Sequence, residues 1–301
     1  WYSRKTTDLL LETPMAISLG FPGYYDNVGS ILNTGFDISL NADIISERDF
    51  HWSIGWMGST LRNKVLKLSD KGEDIVNGVF LIREGLPINS FYLSRSAGVD
   101  PATGDQFYWA YKKDAFGNMI DGSEYITNNA TAASGSKYVF GCRIPDIYGS
   151  ISSNFSWKGL DFAVLFTYSL GGKVFDNIYR SLMEPSFIGQ TYHKNVLRSW
   201  SRAGDVTDVP KALTTLSTLA SDRFLVDASY FAVKNISLGY TLPSALLSGA
   251  GIESLRVYLS CDSPWLFTSL KGMNPQADFS GSTSYSYTPN RTLNLGVDLK
   301  F

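Results

Sequence analysis

The sequence predicts an all-β fold in which antiparallel strands form a transmembrane β-barrel. Three observations support this prediction: apolar and polar residues alternate along most of the chain, short turns alternate with long connections, and charged residues are scarce. Alternation with a period of two places every second side chain on the same side of a sheet. Each strand therefore has one apolar and one polar face, as the strands of a barrel between lipid and water require.

The composition argues against two other classes. Of the 301 residues 18% are charged, whereas soluble domains contain about 25% charged residues. No apolar run approaches the roughly 18 residues that a membrane-spanning helix needs. The net charge is -2 and the basic residues are scattered, so the sequence does not indicate nucleic-acid binding.

The C-terminal segment shows the alternation most clearly. Its apolar positions are Leu293, Leu295, Val297, Leu299 and Phe301. The intervening positions are Thr292, Asn294, Gly296, Asp298 and Lys300. This segment is predicted to be a strand that ends on a lipid-facing Phe301.

The same pattern predicts three hairpins. They join residues 36–44 to 50–56, residues 149–157 to 160–168, and residues 236–240 to 255–259. The second hairpin turns at Lys158-Gly159, where glycine supplies the positive φ of a tight turn.

Long connections separate the hairpins. They cover residues 13–29, 71–146, 171–222 and 268–289. Short turns at one end of a sheet and long loops at the other are typical of outer-membrane barrels. We expect short periplasmic turns, long extracellular loops and about eight strands, or ten if residues 89–98 pair with 106–112.

A secreted β-sandwich is the alternative, because its strands also alternate. Sandwich strands usually have five to six residues, whereas the C-terminal pattern extends over about ten. Aromatic residues at predicted strand ends favour the interfacial girdles of a barrel. They are Phe50, Trp52, Trp157, Tyr168 and Tyr240.

Several segments, in order along the chain, resemble the SusC-like TonB-dependent outer-membrane transporters of Bacteroidetes. They are NVGSILNTGFDISLNADII (Asn27–Ile45), RNKVLKLSD (Arg62–Asp70), EGLPINSFY (Glu84–Tyr92), GVDPATGDQFYW (Gly98–Trp109), the hairpin Ile147–Asp176, FAVKNISLGYTLP (Phe231–Pro243) and Leu255–Thr268. The sequence departs from the family pattern at Ser150, at Phe231-Ala232 and at 261–264. It therefore resembles a divergent member, whose substrate does not follow from the likeness.

The resemblance implies that residues 1–301 are the C-terminal part of a barrel that closes 22 strands around a plug. It implies energised import of an oligosaccharide or peptide across the outer membrane. The expected partners are a SusD-like surface lipoprotein, the remaining N-terminal barrel and plug polypeptide, the TonB energy-coupling complex, and outer-membrane lipid and lipopolysaccharide. A small self-contained porin and a structural or adhesive barrel remain the alternatives.

Few residues suggest chemistry, so no catalytic, cofactor or metal site is predicted and the protein is not expected to be an enzyme. His51 is expected to face an aqueous rim, and His193 to be a solvated loop residue. Asp100 and Asp105 in DPATGD fit a tight turn better than a calcium loop, because a carboxylate ladder is missing. Cys142 and Cys261 leave a disulfide open.

Polar residues at inward positions are interpreted as a wetted lining, with a substrate path as the alternative. They are Ser39, Asn41, Ser152, Asn154, Asn235, Ser237, Arg256 and Asn294.

The turn pattern generates a prediction about orientation. Protease added to intact cells should cut only within the long connections, because the short turns are then periplasmic. Mapping the fragments by mass spectrometry checks this. Cleavage after Lys158 in sealed cells would show that the short turns are extracellular, which is the opposite orientation.

Overall fold

The computed structural model describes residues 1–14, 20, 23–27, 29–68, 73–115, 117–184, 189–212, 219–247, 249, 251–270, 272–276, 280–285 and 287–301. The strands are β1 (Tyr2–Thr7), β2 (Leu10–Pro14), β3 (Gly23–Asn27), β4 (Ser30–Gly35), β5 (Asp37–Ser46), β6 (Phe50–Ser59), β7 (Arg62–Lys67), β8 (Ile75–Asn77), β9 (Phe80–Ile82), β10 (Ser90–Val99), β11 (Gln106–Ala110), β12 (Tyr125–Thr127), β13 (Lys137–Val139), β14 (Ile147–Trp157), β15 (Leu160–Leu170), β16 (Lys173–Phe175), β17 (Leu225–Asp227), β18 (Tyr230–Thr241), β19 (Ser254–Thr268) and β20 (Thr292–Lys300).

The helices are short. They are α1 (Ala130–Gly135), α2 (Asn177–Leu182) and α3 (Ser244–Leu247), with 3-10 turns at Lys194–Arg198 and Asp222–Phe224. Within the described ranges, none of the helices has the length and apolar character needed to cross a membrane.

The main unit is a seven-stranded antiparallel sheet in the order β20-β19-β18-β15-β14-β6-β5. The three predicted hairpins are confirmed, since β5 pairs with β6, β14 with β15, and β18 with β19. At the second turn Trp157 is paired with Leu160, and both Lys158 and Gly159 have positive φ, at 47° and 89°. A tight turn of this shape matches the twist of the flanking strands.

Strand β4 continues β5, and β7 continues β6. Their pairing keeps one register from Ile31 opposite Val65 to Asp43 opposite Ser53. Strand β1 pairs with β4 and is thus the eighth strand. We call the seven-stranded sheet together with β1, β4 and β7 the wall. The prediction of about eight strands is therefore confirmed.

The segments that would have raised the count to ten do pair with each other, with Arg95 opposite Trp109. They lie as β10 and β11 in a separate six-stranded sheet that also contains β8, β9, β12 and β13. They add no strand to the large sheet, because the strands that pair with them all lie within residues 75–139.

The large sheet has two unlike faces. The outer face contains the apolar positions of the alternating strands, and these side chains remain uncovered: Leu295 is 76% exposed, Leu40 60% and Phe267 60%. A β-sandwich would cover this face with a second sheet. The sandwich alternative is therefore wrong for this chain.

Aromatic side chains cluster towards both ends of the outer face. Trp52 and Phe155 stack at 5.3 Å near the short turns, and Phe166 and Phe231 stack at 5.4 Å near the long connections. The nine residues from Leu160 to Tyr168 span about 27 Å along the strand. With the usual strand tilt this is a height of roughly 20 Å, close to the apolar band of about 25 Å in outer-membrane barrels.

Gly149 on β14 lets the side chain of Tyr168 on β15 reach across β14 to β6. Tyr168 Oη donates a hydrogen bond to the carbonyl oxygen of Met57 at 3.2 Å. A Cβ added to Gly149 would lie 2.8 Å from that hydroxyl and 1.9 Å from the Met57 oxygen. Glycine at 149 therefore makes room for a bond that links three strands.

The long connections fold into a compact unit. We call the described residues within 73–146 and 171–229 the loop body. Its core joins both connections and consists of Phe91, Leu93, Phe175, Met183, Val209 and Phe224, each at most 5% exposed. Residues 189–200 contain the 3-10 turn Lys194–Arg198.

The uncovered outer face predicts that charge is tolerated on one side only. Val164→Arg or Leu295→Arg should cost about 2–4 kcal/mol of folding stability, because a cation would lie in hydrocarbon. Asn294→Arg should cost little, since its neighbour Asp262 accepts a cation. Unfolding by denaturant in lipid vesicles measures the differences, and equal losses on both faces would contradict a lipid-facing outer surface.

Candidate functional site: the inner face and the loop body

The inner face of the sheet contains all the polar residues predicted to face inward. Register brings them together across strands: Asn41 is opposite Gly55, which is opposite Ser152. In the next row Asn154 is opposite Ala163, which is opposite Ser237. The inner face is therefore a continuous polar surface rather than a set of isolated side chains.

Two amides hold one carboxylate at this face. Asn235 Nδ2 donates to Asp262 Oδ1 at 2.7 Å, and Asn294 Nδ2 donates to Asp262 Oδ2 at 3.2 Å. The contact spans β18, β19 and β20. Because both oxygens accept bonds, Asp262 is fixed across three strands.

Arg256 forms a charged network on the inner face. Its Nε and Nη2 donate to the two oxygens of Asp161 at 3.0 and 2.6 Å, and Nη1 donates to Asp298 at 3.2 Å. Bidentate pairs of this kind are stronger and more directional than single contacts. The Arg256 guanidinium also lies 4.9 Å from the ring centroid of Tyr258.

Glycine makes this network possible. Asp161 and Arg256 lie on β15 and β19, so their side chains meet across β18. A Cβ added to Gly239 of β18 would lie 2.5 Å from Arg256 Nη2 and 2.6 Å from Asp161 Oδ1. Any side chain at 239 would therefore displace the ion pair.

The two histidines have local contacts. His51 Nε2 lies 3.4 Å from Asp43 Oδ1 near the short-turn end of β6. His193 was expected to be a solvated loop residue, but its Nδ1 accepts a hydrogen bond from Asn195 N at 3.1 Å and caps the following 3-10 turn. Its ring also packs edge-on against Tyr179 at 4.9 Å.

The DPATGD segment is a tight turn, as predicted. Asp100 N donates to the Asp105 carbonyl at 2.9 Å, and Gly104 N donates to the Asp100 carbonyl at 2.8 Å. The Asp100 carboxylate accepts bonds from Ala102 N and Thr103 Oγ1 at 3.0 and 2.7 Å. Among the described residues, no three side chains of His, Cys, Asp or Glu gather to hold a metal ion.

This turn connects the two halves of the loop body. Trp200 Nε1 donates to the Pro101 carbonyl at 2.9 Å, and Lys211 Nζ lies 2.7 Å from Asp105 Oδ1. Gly104 has a φ of 73°, and a Cβ there would lie 2.4 Å from the Trp200 indole. We call the contact of residues 100–105 with Trp200 and Lys211 the clasp.

The clasp also changes the acidity of its carboxylates. The hydrogen bond from Lys211 lowers the pKa of Asp105 below its ordinary value. The backbone hydrogen bond from Ala102 lowers the pKa of Asp100. Both residues are thus held in the charged form that the clasp uses.

A cleft of about 630 Å³ opens in the loop body beside β10 and β13. Tyr92 lines it between two cations, with Arg83 Cζ 6.0 Å and Lys137 Nζ 5.7 Å from its ring centroid. Arg83 also bonds Asp74 through Nε at 2.9 Å. The lining also includes the carboxylates of Glu73 and Asp74 and the amide of Asn118, so the cleft offers donors and acceptors to the polar groups of peptides and sugars.

A second tyrosine fixes this cleft. Tyr111 Oη donates to the Lys137 carbonyl at 3.1 Å, and its ring packs edge-on against Tyr138 at 5.4 Å. Burial raises the pKa of Tyr111 to about 12, so its hydroxyl keeps the proton that it donates.

Sequence reasoning placed Arg256 on the inner face but did not pair it with Asp161, because the two strands are not adjacent. It also missed the clasp and the Tyr92 cleft, whose members are far apart in sequence.

Cys142 and Cys261 are both free in the structure. Cys261 lies on the outer face opposite Ile236 and Leu293.

No protein-family model matches the chain. It is 27% identical over its whole length to the TonB-dependent receptor P3 of Formosa agariphila, of which it covers 32%. It is 26% identical to the TonB-dependent receptor SusC of Bacteroides thetaiotaomicron, of which it covers 29%. The fold matches the structure of the RagAB peptide transporter with a TM-score of 0.87 and 30% identity, over 99% of this chain and 32% of that chain.

These comparisons confirm the resemblance and the barrel fold predicted from sequence. The chain spans about a third of the length of the curated relatives it matches. The matched structure is a transporter and the curated relatives are receptors.

The clasp predicts a dependence on pH. Because the pKa of Asp105 is lowered in the folded state, its contribution is present above the ordinary value of 3.8 and is lost as the pH falls through the lower folded value. Amide exchange in peptides from 196–211, corrected for intrinsic rates, should therefore rise on acidification below that range.

Lys211→Gln should raise the same exchange at neutral pH, because Asp105 then lacks its cation. Asp121→Asn, in an exposed turn of the loop body, is the matched control and should leave it unchanged. Equal exchange in wild type and Lys211→Gln would show that the ion pair does not hold the clasp.

Proposed function

We propose that this chain, a homologue over its whole length of SusC-like TonB-dependent receptors, is part of an outer-membrane importer that takes up peptides or oligosaccharides. Receptors of this kind are outer-membrane β-barrel proteins, and this chain is a segment of such a barrel. We propose the import activity for the complete protein, of which this chain is one part.

The uncovered apolar outer face, opposite a polar inner face, carries this proposal. A sheet with these faces separates lipid from a water-filled lumen. The inner positions are mostly Ser, Asn, Gly and Thr, whereas small barrels fill their interiors with bulky side chains. A wide lumen is what passage of a bulky nutrient requires.

The small self-contained porin fits less well. In the described part of the chain β20 pairs with β19 alone, and β1 pairs with β4 alone. A closed barrel would pair these two edges with each other, because open edges are costly in lipid. We propose that residues 1–301 are the C-terminal part of a barrel whose remaining strands pair with both edges and close the barrel around a plug.

The partners follow from the same proposal. A SusD-like lipoprotein would cover the loop body from outside, and the TonB complex would supply energy through the plug. Lipid and lipopolysaccharide would surround the outer face. The inner face and the Tyr92 cleft are proposed to guide substrate, in a role that is not enzymatic.

Peptides are the substrate class that the solved relative favours, since it is a peptide transporter. Oligosaccharides remain the second class. The Tyr92 cleft can accept either, because a ring can stack on a sugar and Lys137 can bind a peptide carboxylate.

The test is uptake by cells that carry or lack the complete receptor gene. Labelled peptides and oligosaccharides too large for porins should enter only when the gene is present, and a protonophore should stop their entry. Uptake that does not depend on the gene, or that continues without a proton gradient, would contradict energised import.

A cleft variant makes the test residue-specific. Tyr92→Ala should reduce uptake at low substrate concentration several-fold, because the aromatic contact is lost. Tyr125→Ala, in β12 of the same sheet and outside the cleft, is the control and should leave uptake unchanged.

A further inference from the structure

Three basic residues lie together where the wall meets the long connections. Lys5 of β1 and Lys64 of β7 are both opposite Leu32 of the intervening strand β4. Arg62 is opposite Thr34, two residues further along. Strands lie about 4.8 Å apart and residues rise about 3.4 Å, so the three backbone positions fall within roughly 12 Å. We call Lys5, Arg62 and Lys64 the basic cluster.

The basic cluster lies on the outer face. The register between the two long strands is unbroken from Ile31 to Asp43. Leu32 and Thr34 therefore share a side with Phe36, Ile38 and Leu40, which are 46 to 60% exposed on the outer face. The cluster continues that apolar surface towards the long connections.

The four rows of this face that lie nearer the short turns are uncharged. Four paired rows, beginning at Phe50, Trp52, Ile54 and Trp56, cross the described sheet on the outer side. Within the strand positions described there, none of the four rows contains a charged residue. The cations are thus confined to the level just beyond the apolar band.

Within the described residues, no acidic side chain neutralises the charge of the cluster. Within the described ranges no carboxylate lies within 4.0 Å of the side-chain nitrogens of Lys5, Arg62 or Lys64, in contrast to Arg83 with Asp74 and Arg256 with Asp161. Like charges at this spacing repel each other, and an anion between them relieves the repulsion.

A cleft of about 430 Å³ adjoins the cluster. Its lining combines Arg62 and Lys64 with the apolar side chains of Leu32, Leu61, Ile144 and Pro145. Asp146 lines it too, with its carboxylate against Gly171, where an added Cβ would lie 2.2 Å from Oδ2. Cations beside apolar groups suit a ligand with an anionic head and a hydrocarbon tail.

We propose that the basic cluster and this cleft bind the phosphate groups of an outer-leaflet glycolipid, whose acyl chains lie along the apolar outer face below. The proposal rests on the outer-membrane orientation of the proposed function. Its position fits, since lipid phosphates lie just beyond the hydrocarbon and attract basic side chains there.

The test uses the complete receptor purified in detergent, with bisphosphorylated lipid A and dephosphorylated lipid A as probes. Wild type should retain the bisphosphorylated lipid in native mass spectrometry. Lys5→Gln, Arg62→Gln and Lys64→Gln should each weaken retention about fivefold, and the triple change should reduce it to the level of the dephosphorylated probe.

Arg4→Gln is the matched control, because Arg4 is the neighbour of Lys5 on the same strand and points to the opposite face. It should retain the lipid as wild type does. Inorganic phosphate at millimolar concentration should not displace the lipid if the acyl chains contribute to binding.

Three results would overturn the site: undiminished retention by the triple variant, equal loss in Arg4→Gln, or equal retention of both probes by wild type. Heat-modifiable migration on a gel shows that each variant still forms a barrel. A barrel that inserts and imports but retains no lipid refutes this inference alone, whereas a barrel that imports nothing refutes the proposed function.

Discussion

Backbone hydrogen bonding in lipid is the constraint on which the rest of the structure depends. An unpaired N–H or C=O in hydrocarbon costs several kcal/mol, so a strand can cross only with a partner on each edge. Strand β15 satisfies this condition from Leu160 to Ser169, with β14 on one edge and β18 on the other. Because the ladder is obligatory, side chains are free to differ completely between the two faces.

Two irregularities of the ladder interrupt the alternation. Ile44 is an extra residue between Asp43, opposite Ser53, and Ile45, opposite Trp52. A second irregularity places Lys234 between Val233 and Asn235. Bulges of this kind bend a strand and increase its twist. The apolar–polar alternation in the sequence cannot locate these bulges, since one inserted residue moves all the following side chains of that strand to the opposite face.

The Lys158-Gly159 hairpin could be predicted because every determinant lies within 20 residues. The same holds for the DPATGD turn, whose bonds are local. The ion pair of Arg256 with Asp161 could not be predicted, because it requires the register of three strands and the absence of a side chain at Gly239. The core of the loop body was missed for a similar reason: Phe91 and Phe224 come from different connections, and neither segment has a periodic pattern.

The loop body has a mechanical consequence for the barrel mouth. Phe175 links it to the last long connection, residues 268–289, since its N donates to the Gly281 carbonyl at 2.8 Å and its carbonyl accepts from Thr283 N at 3.0 Å. The side chain of Thr283 in turn donates to the buried Asp176 carboxylate at 3.0 Å. Moving one connection alone would expose Phe91 or Phe224 to water, at about 1.5–3 kcal/mol for each side chain. Each of these three connections is therefore held by contacts with the other two, and those contacts would have to break for one connection to move alone.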